Sequence, residues 1–231
     1  MIKKFREYLN ESEGTLTQEQ KNWLDKWTSK GSWRVNPSTG LVDVDGDFYC
    51  SVSGLQNLMG VRFGRVSGNF DCSNNQLTSL EGAPQEVGKD FGCIFNQLTS
   101  LEGAPQKVGR DFYCTHNKLT SLEGAPQEVG EDFKCYDNKL TSLEGSPQEI
   151  VGNFFCFNNP LTSLKGIPFV NGDINFGQNP IWKLIYPYWD QIESMETGSI
   201  NLVLQMIGQI ENPKTEDIAR IMRSIDRMDM I

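Results

Sequence analysis

The chain has 231 residues, room for one or two ordinary domains and a sizeable core. Apolar residues make up 38% and glycine contributes 22 residues, which argues against a helical bundle, and no apolar run approaches the roughly 20 residues that span a bilayer. A net charge of −9 disfavours direct nucleic-acid binding, and a single histidine, His116, excludes most catalytic-triad and histidine-ligated metal chemistry.

Taken in chain order, Ile2 to Leu9 reads as a short helix with no h-region of a signal peptide, so a cytoplasmic protein without membrane contact is expected. Thr17-Gln18-Glu19-Gln20 supplies a Thr-x-x-Gln capping box for a second helix, whose apolar face is Trp23, Leu24 and Trp27. Trp33-Arg34-Val35 and Leu41-Val42-Asp43-Val44, joined through Asn36–Gly40, read as a hairpin.

A repeat follows. Cys72, Cys93, Cys114, Cys135 and Cys156 recur every 21 residues, and Cys50 precedes them by 22. The phrase Leu77-Thr78-Ser79-Leu80-Glu81-Gly82-Ala83-Pro84 returns at Leu98–Pro105 and Leu119–Pro126, with small changes at Leu140–Pro147 and Leu161–Pro168. Self-similarity at this period marks a stacked solenoid. Within Asp111-Phe112-Tyr113-Cys114-Thr115, alternation puts Phe112 and Cys114 on one face and the other three on the opposite face. Asn75, Asn96, Asn117, Asn138, Asn159 and Asn179 should stack as a ladder that satisfies backbone groups where the chain leaves each strand. Proline at each return favours an extended polyproline-like arm over a helix. Phe48-Tyr49-Cys50 and Ile174-Asn175-Phe176 read as the first and last strands of about seven. Beyond them, Ile181 to Ile185, Ile200 to Ile210 and Thr215 to Met228 read as helices, broken by Pro187 and Asn212-Pro213. Ile218, Ile221, Met222, Ile225 and Met228 form one stripe, for a capping helix or for a dimer or partner contact.

The phrase F-x-C-x-x-N-x-L-x-x-L resembles leucine-rich repeats, close to the short bacterial-type repeats of secreted effectors that modulate host proteins. It is closer still to the repeat proteins of tailed bacteriophages and some large viruses, which carry G-x-F-x-C-x-N-N-x-L-T-S-L-E-G-x-P behind an entry like Gly40–Asp47. The resemblance implies an α/β repeat solenoid: a right-handed coil over residues 47–181, with a helix-and-hairpin cap over 1–46 and a helical cap over 182–231. It implies binding to a host protein without catalysis.

Six cysteines at inward positions suit core packing in a reducing compartment, with metal or redox use as the alternative, and C-x-x-C is absent. Asp43–Asp47 faintly resembles a calcium loop but lacks its Gly and Glu positions, so Asp45-Gly46 reads as a turn. No cofactor or metal is expected. An acidic row, Asp47, Asp90, Asp111, Asp132 and Asp173, interrupted by Asn69 and Asn153, is either structural at the strand entrance or a functional acidic stripe. A flat row of like carboxylates gives no acid–base pair, so enzymatic activity is not expected.

The outward strand positions vary most. Tyr49, Ile94, Tyr113, Lys134, Tyr136, Phe155 and Phe157 are the candidate binding residues of a concave face, aromatic anchors beside a cation. Drift at exposed positions, or coverage by the C-terminal helices, are the competing explanations. The leading expectation is a protein-binding module of a phage or virus acting on a host protein. The alternatives are an acidic nucleic-acid mimic and a protein that sequesters a small ligand.

Overall fold

The computed structural model describes residues 16–29 and 31–228, so the predicted helix Ile2–Leu9 lies outside the described residues, as does the side chain of Met228. The first described element is α1 (Gln18–Trp27). The Gln20 N–H donates to Thr17 Oγ1 at 3.2 Å and the Thr17 N–H to Gln20 Oε1 at 2.8 Å, completing the expected capping box. The helix buries Trp23 and Leu24.

Strands β1 (Trp33–Val35) and β2 (Val42–Val44) form the expected antiparallel hairpin, with Trp33 opposite Val44. A β-solenoid follows, built on two parallel sheets. The first sheet contains β3 (Phe48–Tyr49), β5 (Phe70–Asp71), β7 (Phe91–Gly92), β9 (Phe112–Tyr113), β11 (Phe133–Lys134), β13 (Phe154–Phe155) and β15 (Ile174–Asn175), stacked in that order and in register. These are the seven strands expected from the sequence.

The second sheet was not expected. Its strands are β4 (Phe63–Val66), β6 (Glu86–Val87), β8 (Lys107–Val108) and β10 (Glu128–Val129), continued from the hairpin through β2. A separate pair, β12 (Glu149–Ile150) with β14 (Phe169–Val170), extends the same wall. The proline arm is therefore extended, but it ends in a ladder and not as isolated polyproline helix. Apolar residues at Val66, Val87, Val108, Val129, Ile150 and Val170 supply the inward face, and each is at most 3% exposed. No helix lies within the repeats. The helical part of the expected α/β class is confined to the flanks, and the repeat itself is all β.

The core between the sheets is a stack of rings. Phe48, Phe70, Phe91, Phe112, Phe133 and Phe154 are fully buried, with successive ring centroids 5.0–5.7 Å apart. Each such burial contributes about 1.5–3 kcal/mol. Two rows of polar side chains hold the coils in register. In the asparagine ladder, Asn117 Nδ2 donates to the carbonyls of Cys93, Cys114 and Thr115, and its Oδ1 accepts the Leu98 N–H at 3.0 Å. Asn96, Asn138 and Asn159 repeat the same threefold donation. The ladder thus satisfies carbonyls that the turn would strand in an apolar interior.

Glycine sets the coil spacing on the other side. A Cβ on Gly109 would collide with the carbonyl oxygen of Gly88, and one on Gly130 with that of Gly109. Backbone thus stacks on backbone there with no room for a side chain.

After the last coil the chain forms α2 (Trp182–Ile185), a 3-10 turn (Tyr186–Tyr188) that accommodates Pro187, α3 (Trp189–Glu193), α4 (Thr197–Gly208) and α5 (Thr215–Met228). The expected helices at 181–185 and 200–210 are present with shifted ends; α3 was not anticipated. The rings of Trp182 and Trp189 meet Phe176 edge-on at 5.2 and 5.4 Å. Ile218, Ile221, Met222 and Ile225 of the predicted stripe are buried, with exposures of at most 9%. No helix among the described residues is long and apolar enough to cross a membrane.

Candidate functional site

The outward face of the seven-stranded sheet carries three parallel rows of side chains. The first row follows each inward Phe and includes Tyr49, Tyr113, Lys134 and Phe155; the second follows each Cys and includes Ile94, Tyr136 and Phe157. The third was not read from the sequence. It comprises the corner residues just before each ladder Asn, among them Phe95, His116 and Asp137, all with positive φ of 52–56°. Left-handed backbone is uncommon for a residue as bulky as Phe95, and the ladder on either side holds it there. A signal for this row was available: the side chain in the slot before each ladder Asn varies from repeat to repeat.

The second and third rows join in one aromatic strip. Phe95 and His116 ring centroids lie 4.1 Å apart, His116 and Tyr136 5.7 Å, and Tyr136 and Phe157 4.4 Å with planes only 9° from parallel. His116 Nε2 sits 3.3 Å from a carboxylate oxygen of Asp137. Beside this strip, the Lys134 ammonium lies 4.8 Å from the Tyr113 ring centre and 5.5 Å from that of Phe155, and forms a 3.1 Å ion pair with Asp132. Two aromatic faces and a carboxylate therefore hold one cation in place. The Tyr113 hydroxyl donates to Asp111 at 2.5 Å, and burial together with that carboxylate pushes its pKa above the ordinary phenol range. Of the sequence-selected residues, Tyr113, Lys134, Tyr136, Phe155 and Phe157 come together. Tyr49 and Ile94 lie nearer the N-terminal end, beside a notch of about 230 Å3 that Gly92 leaves between them and Tyr113.

The acidic row has a different arrangement from a bare stripe. Asp47 Oδ1 accepts the Asn69 N–H at 2.7 Å, Asn69 Oδ1 the Asp90 N–H at 3.1 Å, Asp90 Oδ1 the Asp111 N–H at 3.3 Å, and Asp111 Oδ1 the Asp132 N–H at 2.8 Å. Asp132 and Asn153 continue the series to Asp173, each at 2.8 Å. Each side chain thus binds the backbone of the next coil, which disperses the carboxylate charge into amide dipoles. Burial works to raise the Asp132 pKa, but the Asn153 N–H and the Lys134 ammonium hold it below the usual carboxylate range.

The six thiols are free and buried. Cys72, Cys93 and Cys114 lie 3.3–3.5 Å from carbonyl oxygens of the following coil, to which they donate. No group of three or more His, Cys, Asp or Glu among the described residues could hold a metal ion. In the Asp43–Asp47 segment, Asp43 Oδ1 accepts the Arg65 N–H and Asp45 Oδ1 the Ser67 hydroxyl.

No family model, curated protein or solved structure matches the chain.

Proposed function

We propose that the chain is a non-catalytic protein-binding module of the leucine-rich-repeat kind, a phage or viral accessory protein that engages a host protein in the cytoplasm through the outward face of its seven-stranded sheet. The flanking helices serve as caps on its right-handed coil. The carrying observation is the aromatic strip from Phe95 through His116 and Tyr136 to Phe157, with Lys134 held between Tyr113 and Phe155. Phe95 is 52% exposed, and its neighbours keep part of their ring faces open to solvent. Aromatic anchors in a pre-ordered row lose little side-chain entropy on binding, which is the character of interface hot spots.

The test is affinity capture from host lysate with the wild-type chain and with the double variant Tyr136→Ala, Phe157→Ala. A stoichiometric host protein retained at high salt by the wild type, lost by the double variant and accompanied by a nearly unchanged Tm is the expected outcome. Equal capture by both chains overturns the reading. Capture that weakens steeply with salt and is displaced by DNA assigns the nucleic-acid mimic instead. Retention of a small molecule from a nucleotide extract assigns the ligand-sequestering alternative.

A further inference from the structure

The two sheets end differently at the C-terminal side of the solenoid. The second sheet is closed: Asn201 of α4 accepts the Val170 N–H at 2.8 Å and donates to the Val170 carbonyl at 2.8 Å, so one amide side chain stands in for the next strand of β14. Among the described residues the first sheet has no such closure at β15. Along that sheet each coil donates to the next; at the last step the N–H groups of Phe154, Cys156 and Asn158 donate to Asp173, Asn175 and Gly177 at 2.8, 2.8 and 3.1 Å. The N–H groups of Ile174, Phe176 and Gln178 keep that phase, and no acceptor receives them among the described residues.

Two further groups are left waiting for an eighth strand. Every earlier member of the acidic row accepts an N–H from the following coil, whereas among the described residues no N–H reaches the Asp173 carboxylate. Ile174 remains partly exposed, although the phenylalanines it continues, Phe48 to Phe154, are fully buried. Between this edge and the helices lies an open cavity of about 630 Å3, walled by Asp173, Ile174, Phe176, Trp189, Glu193 and Met195. Its volume is in the range of binding sites, about 300–1,000 Å3.

We infer that this groove takes an extended basic–apolar peptide from a partner, added parallel to β15 as an eighth strand. Its carbonyls receive the Ile174 and Phe176 amides, one of its own amides donates to Asp173, and an apolar side chain covers Ile174. Charge selects the basic residue. Asp173 and Glu193 both line the groove, and the repeat already displays the pairing, since Arg110, one residue before a row position, lies 3.8 Å from the Asp90 carboxylate of the preceding coil. The groove adjoins the outward face at Phe155 but takes in neither Tyr136 nor Phe157, so the double variant at those two residues leaves the groove intact and each site can fail without the other.

The experiment is fluorescence anisotropy on the full chain with a labelled peptide copying residues 109–117, altered by Asp111→Asn and Cys114→Ser. Saturable binding is expected, with slowed hydrogen exchange at the Ile174 and Phe176 amides. Asp173→Ala, or N-methylation of the peptide amide at the position of residue 111, should weaken binding about five- to tenfold, one hydrogen bond each. Asp173→Asn keeps the acceptor, as Asn153 does in its own coil, but removes one of the two groove carboxylates, so it should bind more tightly than Asp173→Ala and more weakly than the wild type. Ile174→Pro removes an outward N–H that β13 does not use and sets a ring against the incoming strand, so it should abolish binding; the peptide N-methylation tests the neighbouring bond, to Asp173, without altering the fold. No binding at millimolar peptide, or binding indifferent to both Asp173→Ala and N-methylation, overturns the inference. So does binding lost in the Tyr136→Ala, Phe157→Ala chain, which would place the peptide on the outward face. Self-association abolished by Ile174→Pro would give the edge to a second copy and also overturn it.

Discussion

At the scale of single residues, side chains act as extensions of the backbone. Asn117 satisfies three carbonyls and one N–H from inside the core, and each Asp or Asn at a strand entrance from Asp47 to Asn153 binds the amide of the coil after it. The asparagine ladder was legible because its period coincides with that of the cysteines. The function of the acidic row was not, because spacing alone cannot say whether stacked carboxylates face solvent or N–H groups. The thiols give a prediction with a definite sign. Burial, with a smaller contribution from Asp71, pushes Cys50 up to about 12, and burial raises Cys72, Cys93 and Cys135 well above the ordinary thiol value. Native thiols therefore keep protons that unfolded thiols release. The stability they contribute is present below about pH 8.5 and lost as pH rises, at up to about 1.4 kcal/mol per thiol per pH unit. Tm should be flat from about pH 7 to 8 and fall above about pH 9 in thermal melts. A Tm constant to about pH 10.5 would contradict this.

At the scale of elements, strands of two residues persist because those inside the two sheets are paired on both sides and the coil spacing is fixed by glycine. The second sheet escaped the sequence reading for a physical reason. Its segments, such as Glu86–Val87 and Lys107–Val108, are too short to show alternation, and a single inward Val per coil is also what a polyproline arm would display. Only the parallel pairing of neighbouring coils makes them strands. The close approach beside them gives a paired prediction. Gly109→Ala must separate the coils at the Gly88 carbonyl and should cost at least about 3 kcal/mol in urea unfolding. Gly198→Ala, with no atom within 4 Å of the new Cβ and a helical backbone in α4, should instead stabilise by about 0.4–1 kcal/mol. Equal losses in the two variants would remove the coil-spacing argument.

At the scale of the whole molecule, a solenoid buries its interior laterally and leaves two ends to be covered. At one end Trp23 packs on Phe48 and Phe63, with ring centroids 5.1 and 6.2 Å away. At the other, the helices cover Phe176 and Ile181, each 1% exposed, while leaving the first sheet's edge open. A chain ending at residue 181 would expose those apolar side chains together with both terminal strand edges, β14 and β15. It should form concentration-dependent oligomers by light scattering; a stable monomer would mean that the helices are dispensable to the fold. The tryptophan-rich stretch at 182–189 was readable as apolar, but its target was not, since Phe176 becomes an end surface only once the coils are stacked.

By itself the sequence determined the repeat, its 21-residue period, the inward Phe and Cys and the Asn ladder, because these recur at every coil and interact with their own copies one coil away. It also marked the variable outward positions. The tertiary structure alone decided the second sheet, the use of the acidic row, the union of Phe95 and His116 with Tyr136 and Phe157, and the unequal ends of the two sheets. Each of those depends on which groups different coils or helices bring within hydrogen-bonding or ring-contact distance, and a linear pattern carries no such distances.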